Sequence, residues 1–129
     1  MLKQSWLILV VLILVSCSKG EPGTAFKDLP EGDTVRGAAL FTQTINESPA
    51  CNSCHRTDDV TQTGPGLADF SSRAEERDDK LSAAEYTYYS ILRPSRAIVT
   101  GFSNVMYSDY EEKLTPQQIA DLIAFVLSL

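Results

Sequence analysis

The sequence is poor in the residues that most metal, redox and nucleic-acid sites use. Its 129 residues include one histidine, two methionines and three cysteines, and 11 lysines and arginines stand against 17 aspartates and glutamates. A single histidine excludes metal centres with several histidine ligands and leaves no second imidazole for a proton relay. The net charge of −6 argues against a nucleic-acid partner, because a row of phosphates needs more cations than this.

The remaining composition is that of a small globular protein. Apolar residues make up 43% of the chain, and the length supports one domain. A domain of this size buries its core with little margin, so an enclosed cofactor would contribute to its stability.

The N-terminus has the pattern of an export signal. Lys3 precedes an unbroken apolar run, Leu7–Val15, which is too short to span a bilayer. The four residues that end at Cys17 (Leu-Val-Ser-Cys) resemble a bacterial lipobox, in which the signal is cleaved before the cysteine and its sulfur receives a diacylglyceryl group. An ordinary signal peptide or an uncleaved anchor is the alternative.

These features predict three segments. Residues 1–16 are expected to be a lipoprotein signal peptide, and residues 17–32 a lipidated cysteine followed by a flexible tether that contains several glycines and prolines. Residues 33–129 are expected to form the folded domain. The protein would then be exported and lipid-anchored to a bacterial membrane, facing the periplasm or the outside.

Cys51, Cys54 and His55 form the sequence CxxCH, the attachment signature of c-type haem. Two thiols on one helical turn can form thioethers with the two vinyl groups on one porphyrin edge. The histidine that follows is then placed beneath the iron as the proximal ligand. We therefore predict one covalently attached haem c.

Three other interpretations of the two cysteines fit the sequence less well. A redox CxxC motif normally opens a helix in a βαβ unit, and the sequence has no strand pattern. A zinc site would need a fourth ligand. A structural disulfide across two residues would close a strained loop.

From Asp33 to Leu129 the chain resembles the class I c-type cytochromes. In that family a helix leads into CxxCH, a loop with Gly-Pro follows, and further helices, a methionine loop and an amphipathic helix complete the chain. The resemblance implies an all-α cytochrome c fold wrapped around one haem. The chain is similar to the cytochrome domain of oxidase subunit II and to the monohaem cytochrome subunit of alternative complex III.

The resemblance also implies roles for single residues. The carbonyl of Pro65 would accept the Nδ1–H of His55, Leu67 would pack on the porphyrin, and Met106 would be the sixth iron ligand. A metal-bound histidine does need such an acceptor. The chain after Cys17 contains one histidine and one methionine, so a His/Met pair can only be His55 and Met106.

The chain departs from the family at two places. Nine residues, Thr42–Ala50, separate the first helix from CxxCH and are interpreted as an insertion loop beside the haem edge. Tyr107 follows the methionine where the family commonly has proline, which predicts a less rigid loop. Arg93 and Arg96 are candidate partners of the haem propionates.

Capping and periodicity predict three helices. Asp33 caps a helix whose apolar face carries Val35, Ala38, Phe41 and Ile45. Capping boxes predict a second helix from Ala83 to Leu92 or Arg93 and a last helix from Pro116. The periodicity of the last helix places Gln117, Asp121 and Ser128 on its exposed face. The family resemblance implies that this helix crosses the first near Gly37. The mixed charge run from Arg73 to Lys80 is expected to be a solvated face.

These features predict a single-electron carrier rather than an enzyme, because two filled axial positions leave the iron no substrate site. The resemblance implies a quinol-oxidising complex and a terminal oxidase as partners, with the membrane reached through the lipid anchor. The protein would be either a shuttle between them or a fixed subunit of a respiratory complex. An acidic carrier should dock on a basic or apolar patch. The alternative is a haem enzyme or small-gas sensor, in which Met106 leaves the sixth position open.

Overall fold

The computed structural model of the protein describes residues 24–129. The predicted signal peptide, Cys17 and the first part of the predicted tether lie outside the described residues. None of the helices described is long and apolar enough to cross a bilayer.

Five α-helices account for the regular structure of residues 24–129, which contain no strand. The all-α prediction is confirmed. A short 3₁₀ turn at Phe26–Asp28 precedes the first helix, and two more, at Cys51–Ser53 and Pro94–Arg96, lie between helices. The helices are α1 (Thr34–Phe41), α2 (Phe70–Arg77), α3 (Ala83–Leu92), α4 (Tyr110–Lys113) and α5 (Pro116–Leu127).

All three predicted helix starts are found. The carboxylate of Asp33 accepts the backbone N–H of Arg36 at the start of α1. Ser82 and Thr115 form complete capping boxes at the starts of α3 and α5. These caps satisfy backbone N–H groups that have no partner inside the helix, which is why the sequence located them well.

The first and last helices cross at Gly37, as predicted. A Cβ atom at this position would lie 2.7 Å from the Cβ of Phe125, so only glycine permits the two backbones to approach this closely. The rings of Phe41 and Phe125 pack edge-on beside the crossing, with centroids 5.3 Å apart.

The predicted apolar face of α1 is wrong at two residues. Val35 is 80% exposed, and Ile45 lies beyond the end of the helix at Phe41. Helix α5 packs against the face that carries Gly37 and Phe41 instead, because the absent side chain of Gly37 permits the closest approach there.

The prediction that Asp121 is exposed is also wrong. Asp121 is 2% exposed and lies at the crossing of α1 and α5. Its carboxylate accepts hydrogen bonds from the Arg36 guanidinium at 2.8 and 2.9 Å, from the backbone N–H of Asp33 at 2.8 Å and from the Gln117 amide at 2.9 Å. These donors hold the pKa of Asp121 below its usual range, the Arg36 hydrogen bonds contributing most.

Part of the charge run is a helix that the sequence did not reveal. Helix α2 ends at Arg77, and its buried residues are Phe70 and Ala74. These two apolar side chains dock the helix, while Glu75 and Glu76 remain exposed on its outer face.

Residues 24–32, the last part of the segment predicted as a tether, contact the helical domain. The Tyr88 hydroxyl donates to the carbonyl of Thr24 at 2.7 Å, and the Phe26 and Tyr88 rings pack edge-on with centroids 5.8 Å apart. The Gln117 amide donates to the carbonyl of Glu31 at 2.9 Å. The described part of this segment is therefore held against α3 and α5.

Candidate functional site

A cavity of about 320 Å³ lies between the CxxCH segment, α2, α3 and the loop that joins α3 to α4. This volume is typical of sites that bind small molecules and cofactors. The residues predicted to attach, ligate or pack against the haem ring all line this cavity: Cys51, Cys54, His55, Pro65, Leu67 and Met106.

The CxxCH segment forms one tight turn at the cavity wall. Residues Cys51–Ser53 form a 3₁₀ turn, and the backbone N–H of His55 donates to the carbonyl of Cys51 at 2.9 Å. Cys51 and Cys54 are free thiols and both are half-buried. The turn therefore brings two thiols and one imidazole to the same cavity.

The environment of the thiols does not favour the redox or zinc interpretations. Burial raises the pKa of Cys51 to about 11, so its thiol is neutral near pH 7, whereas redox CxxC motifs use a low-pKa thiolate. Within residues 24–129 no group of three or more histidine, cysteine, aspartate or glutamate side chains is arranged to hold a metal ion.

The imidazole of His55 is oriented by one hydrogen bond. Its Nδ1 lies 2.9 Å from the carbonyl oxygen of Pro65. Because a carbonyl only accepts, Nδ1 carries the proton, and Nε2 is left with its lone pair free for a metal. The contact that the family resemblance implied between these two residues is present.

Gly64 is required for this orientation of the ring. A Cβ atom at position 64 would lie 2.7 Å from Nδ1 and 2.9 Å from Nε2 of His55. These distances are far below van der Waals contact, so the ring occupies the space that any larger residue would fill.

The loop that carries Pro65 is fixed on both sides of that residue. The N–H of Gly64 donates to the carbonyl of Cys54 at 2.9 Å, and the N–H of Leu67 donates to the carbonyl of Arg56 at 2.9 Å. Arg73 on α2 donates to the carbonyl of Gly66 at 2.8 Å. The sequence did not predict this role of Arg73, because nothing in a run of charged residues indicates that one of them faces inward.

Met106 reaches the cavity from the loop that joins α3 and α4, and its side chain is half-buried. The next residue, Tyr107, packs edge-on against Tyr110 with ring centroids 5.0 Å apart. An aromatic contact therefore anchors the position at which the family commonly has proline.

The insertion Thr42–Ala50 is a structured loop. It reverses direction through Asn46 and Glu47, whose φ angles are 47° and 68°, and an isolated bridge joins Ile45 to Ser48. The Asn46 amide donates to the carbonyl of Lys113 at 2.8 Å. Its last two residues, Pro49 and Ala50, line the cavity.

Tyr110 connects this loop to the cavity wall. Its hydroxyl donates to the carbonyl of Pro49 at 2.7 Å, and its ring lines the cavity. Burial raises the pKa of Tyr110 above its ordinary value, so the hydroxyl remains a donor at all physiological pH values.

Neither of the arginines proposed for the propionates lines the cavity. Arg93 pairs with Glu111 through both terminal nitrogens, and the Arg96 guanidinium stacks on the Tyr89 ring at 3.9 Å. Both arginines line a smaller neighbouring cleft. The expectation that Arg93 and Arg96 pair with the haem propionates is therefore wrong, because local contacts already occupy both side chains.

The cation that does line the cavity is Arg77, at the end of α2. Its guanidinium carbon lies 5.9 Å from the ring centroids of both Phe70 and Tyr86. In the part of the chain that the structure describes, no carboxylate forms an ion pair with Arg77.

An all-helical fold whose cavity collects CxxCH, an oriented imidazole and a thioether defines the class of c-type haem proteins. The comparison of the chain with protein families gives the same result. The family described as Cytochrome c matches residues 34–129, so the chain belongs to the cytochrome c family. It is therefore a haem-binding electron-transfer protein with haem c as its cofactor. Separate searches of curated proteins and of solved structures found no match.

Proposed function

We propose that the protein carries single electrons through one covalent haem whose iron is ligated by His55 and Met106. We further propose that lipid on Cys17 anchors it to a bacterial membrane, where it serves a respiratory chain between a quinol-oxidising complex and a terminal oxidase. The observation that carries the proposal is the convergence of Cys51, Cys54, His55 and Met106 on one cavity.

In this proposal the residues of the cavity bind the haem, orient its histidine ligand and shield its face from water. Cys51 and Cys54 would hold the porphyrin edge through thioethers, and Leu67 would cover part of its face. The Pro65 carbonyl fixes the His55 ring and increases its basicity as a ligand. The haem supplies the one-electron chemistry of iron, and a thioether ligand from Met106 raises its reduction potential.

The first test is the visible spectrum of the exported, purified protein, ferric and then reduced with dithionite. We expect one covalent haem per chain, a low-spin reduced spectrum and the weak far-red band of a sulfur–iron bond. A high-spin spectrum would overturn the ligation by Met106 and favour an enzyme or gas sensor instead. The intact mass of the same preparation tests the lipid on Cys17, since an unmodified residue at that position would remove the anchor.

We assign the haem propionates to Arg77. The chain has a net charge of −6, and Arg77 is the charged residue among those that line the cavity. A guanidinium forms strong paired hydrogen bonds with a carboxylate, and no carboxylate of the described residues competes for this one. Its contacts with Phe70 and Tyr86 hold it in position.

Replacement of Arg77 by glutamine is expected to favour the ferric state by threefold to tenfold, which lowers the potential by about 30–60 mV. The reason is that a nearby cation stabilises the ferrous site, which carries one positive charge fewer. The potential should also become pH-dependent and fall as pH rises, because the unpaired propionate then titrates near neutral pH. Potentiometry from pH 5 to 8 measures both effects.

Arg96→Gln is the matched control, because it removes an equal charge outside the cavity. Arg77→Lys should retain most of the potential. Equal shifts in Arg77→Gln and Arg96→Gln would show that only net charge matters and would refute the assignment.

A further inference from the structure

The exposed margin of the cavity carries no charge. The exposed residues that line it include Pro49, Ser53, Ile98, Ser103, Asn104 and Val105, which we call the uncharged rim. Arg77 is the charged residue of the lining, and it is half-buried rather than exposed. This absence is notable in a chain of which 22% is charged.

The rim also concentrates exposed aliphatic surface. Four large hydrophobic side chains of residues 24–129 are exposed, and two of them, Ile98 at 48% and Val105 at 62%, belong to the rim. Exposed aliphatic residues that gather at one functional opening mark an interaction site more often than scattered ones do.

From these observations we infer that the uncharged rim is the surface through which electrons are exchanged. It fits a redox partner whose own cofactor edge is surrounded by uncharged, largely apolar side chains. The inference rests on the proposed function, since it takes the cavity to be the haem site. The acidic composition allows a partner with either a basic or an apolar docking patch. The uncharged rim favours the partner with the apolar patch.

Charge decides between the two kinds of partner. A basic partner would need carboxylates at the rim, and the exposed lining offers none. The acidic residues of the described part of the chain lie outside the cavity lining, and salt weakens their effect on a partner seated there. Contact at the rim then depends on the burial of its apolar side chains, such as Ile98 and Val105.

A second copy of this protein presents the same uncharged rim, so it can serve as a test partner with an uncharged, largely apolar docking surface. The experiment measures electron self-exchange between the ferric and ferrous forms of the holoprotein from NMR line widths. Val105→Asp places a carboxylate in the contact on both molecules. We expect self-exchange to slow at least tenfold, because two like charges must approach and lose water together.

Val35→Asp is the matched control. Val35 is exposed on α1, does not line the cavity, and gives the same change in net charge. We expect the control to change self-exchange less than threefold. Equal slowing in both variants would overturn the inference, because net charge alone would then explain it.

The position of Val105 next to Met106 requires one check. The far-red band of each variant reports whether the sulfur–iron bond is intact. Ile98→Asp repeats the test at a rim residue that is not adjacent to a proposed ligand, and it should slow self-exchange similarly. A wild-type protein without low-spin covalent haem would instead refute the proposed function. Normal spectra with unchanged rates in both rim variants would refute only the docking surface.

Discussion

Replacement of Met106 by alanine is expected to leave the haem covalently attached but to convert its iron to the high-spin state. Cys51, Cys54 and His55 remain in place, so attachment and the proximal ligand are unaffected. Loss of the thioether removes the ligand that favours ferrous iron, and we expect a potential lower by about 100–200 mV, or two to three decades in the ferric–ferrous equilibrium. Cyanide should then bind to the ferric protein readily.

Optical spectra, potentiometry and cyanide titration measure these effects. Val105→Ala is the control, because it shortens the neighbouring exposed side chain without removing the sulfur. Unchanged spectra and cyanide affinity in the Met106 variant would refute the His/Met assignment.

Replacement of Asp121 by alanine is expected to lower the free energy of unfolding by about 3 kcal/mol, because the hydrogen bonds of Arg36, Asp33 and Gln117 lose their shared acceptor. This is a large part of the total stability of a small domain. Chemical denaturation of the holoprotein measures it. Glu112→Ala is the control, since Glu112 is an exposed acid of α4, and we expect it to change stability by less than about 0.5 kcal/mol.

The same residue makes a pH-dependent contribution whose sign follows from its pKa. The pKa of Asp121 is lower in the folded protein than in the unfolded chain, so folding favours the anion. The stabilisation is complete at neutral pH and is lost as pH falls below about 3.9, through the folded pKa. Asp121→Asn should therefore show a smaller loss of stability between pH 5 and 2 than the wild type. Parallel curves would contradict the role assigned to the charge.

The parts of the fold that the sequence predicted well are those determined by neighbouring residues. A capping box satisfies backbone groups within four positions, so Ser82 and Thr115 identify their helices without reference to the rest of the chain. The CxxCH turn and the Gly-Pro loop are similarly local. The contact of His55 with Pro65 was implied by the family resemblance of these two motifs, and the structure contains it.

The errors arose where distant residues decide the environment. Asp121 was assigned to the solvent face because acids usually lie there, and only its contact with Arg36, 85 positions away, makes its burial favourable. Arg77 reaches the cavity instead of Arg93 because Glu111 already holds Arg93. Sequence patterns indicate which helix faces are apolar. They do not indicate which distant carboxylate or cavity a given arginine side chain contacts.

The crossing of α1 and α5 also has a consequence for the order of events during biogenesis. Its contacts join residues up to 88 positions apart, and closing a loop of that length costs about 4 kcal/mol of chain entropy before any contact forms. Such a contact is slow to form, and it needs α5 to be in place. A chain that emerges N-terminus first therefore presents Cys51 and Cys54 while both thiols are still accessible. Haem attachment can then precede closure of the domain, and closure afterwards encloses a cofactor that is already bound.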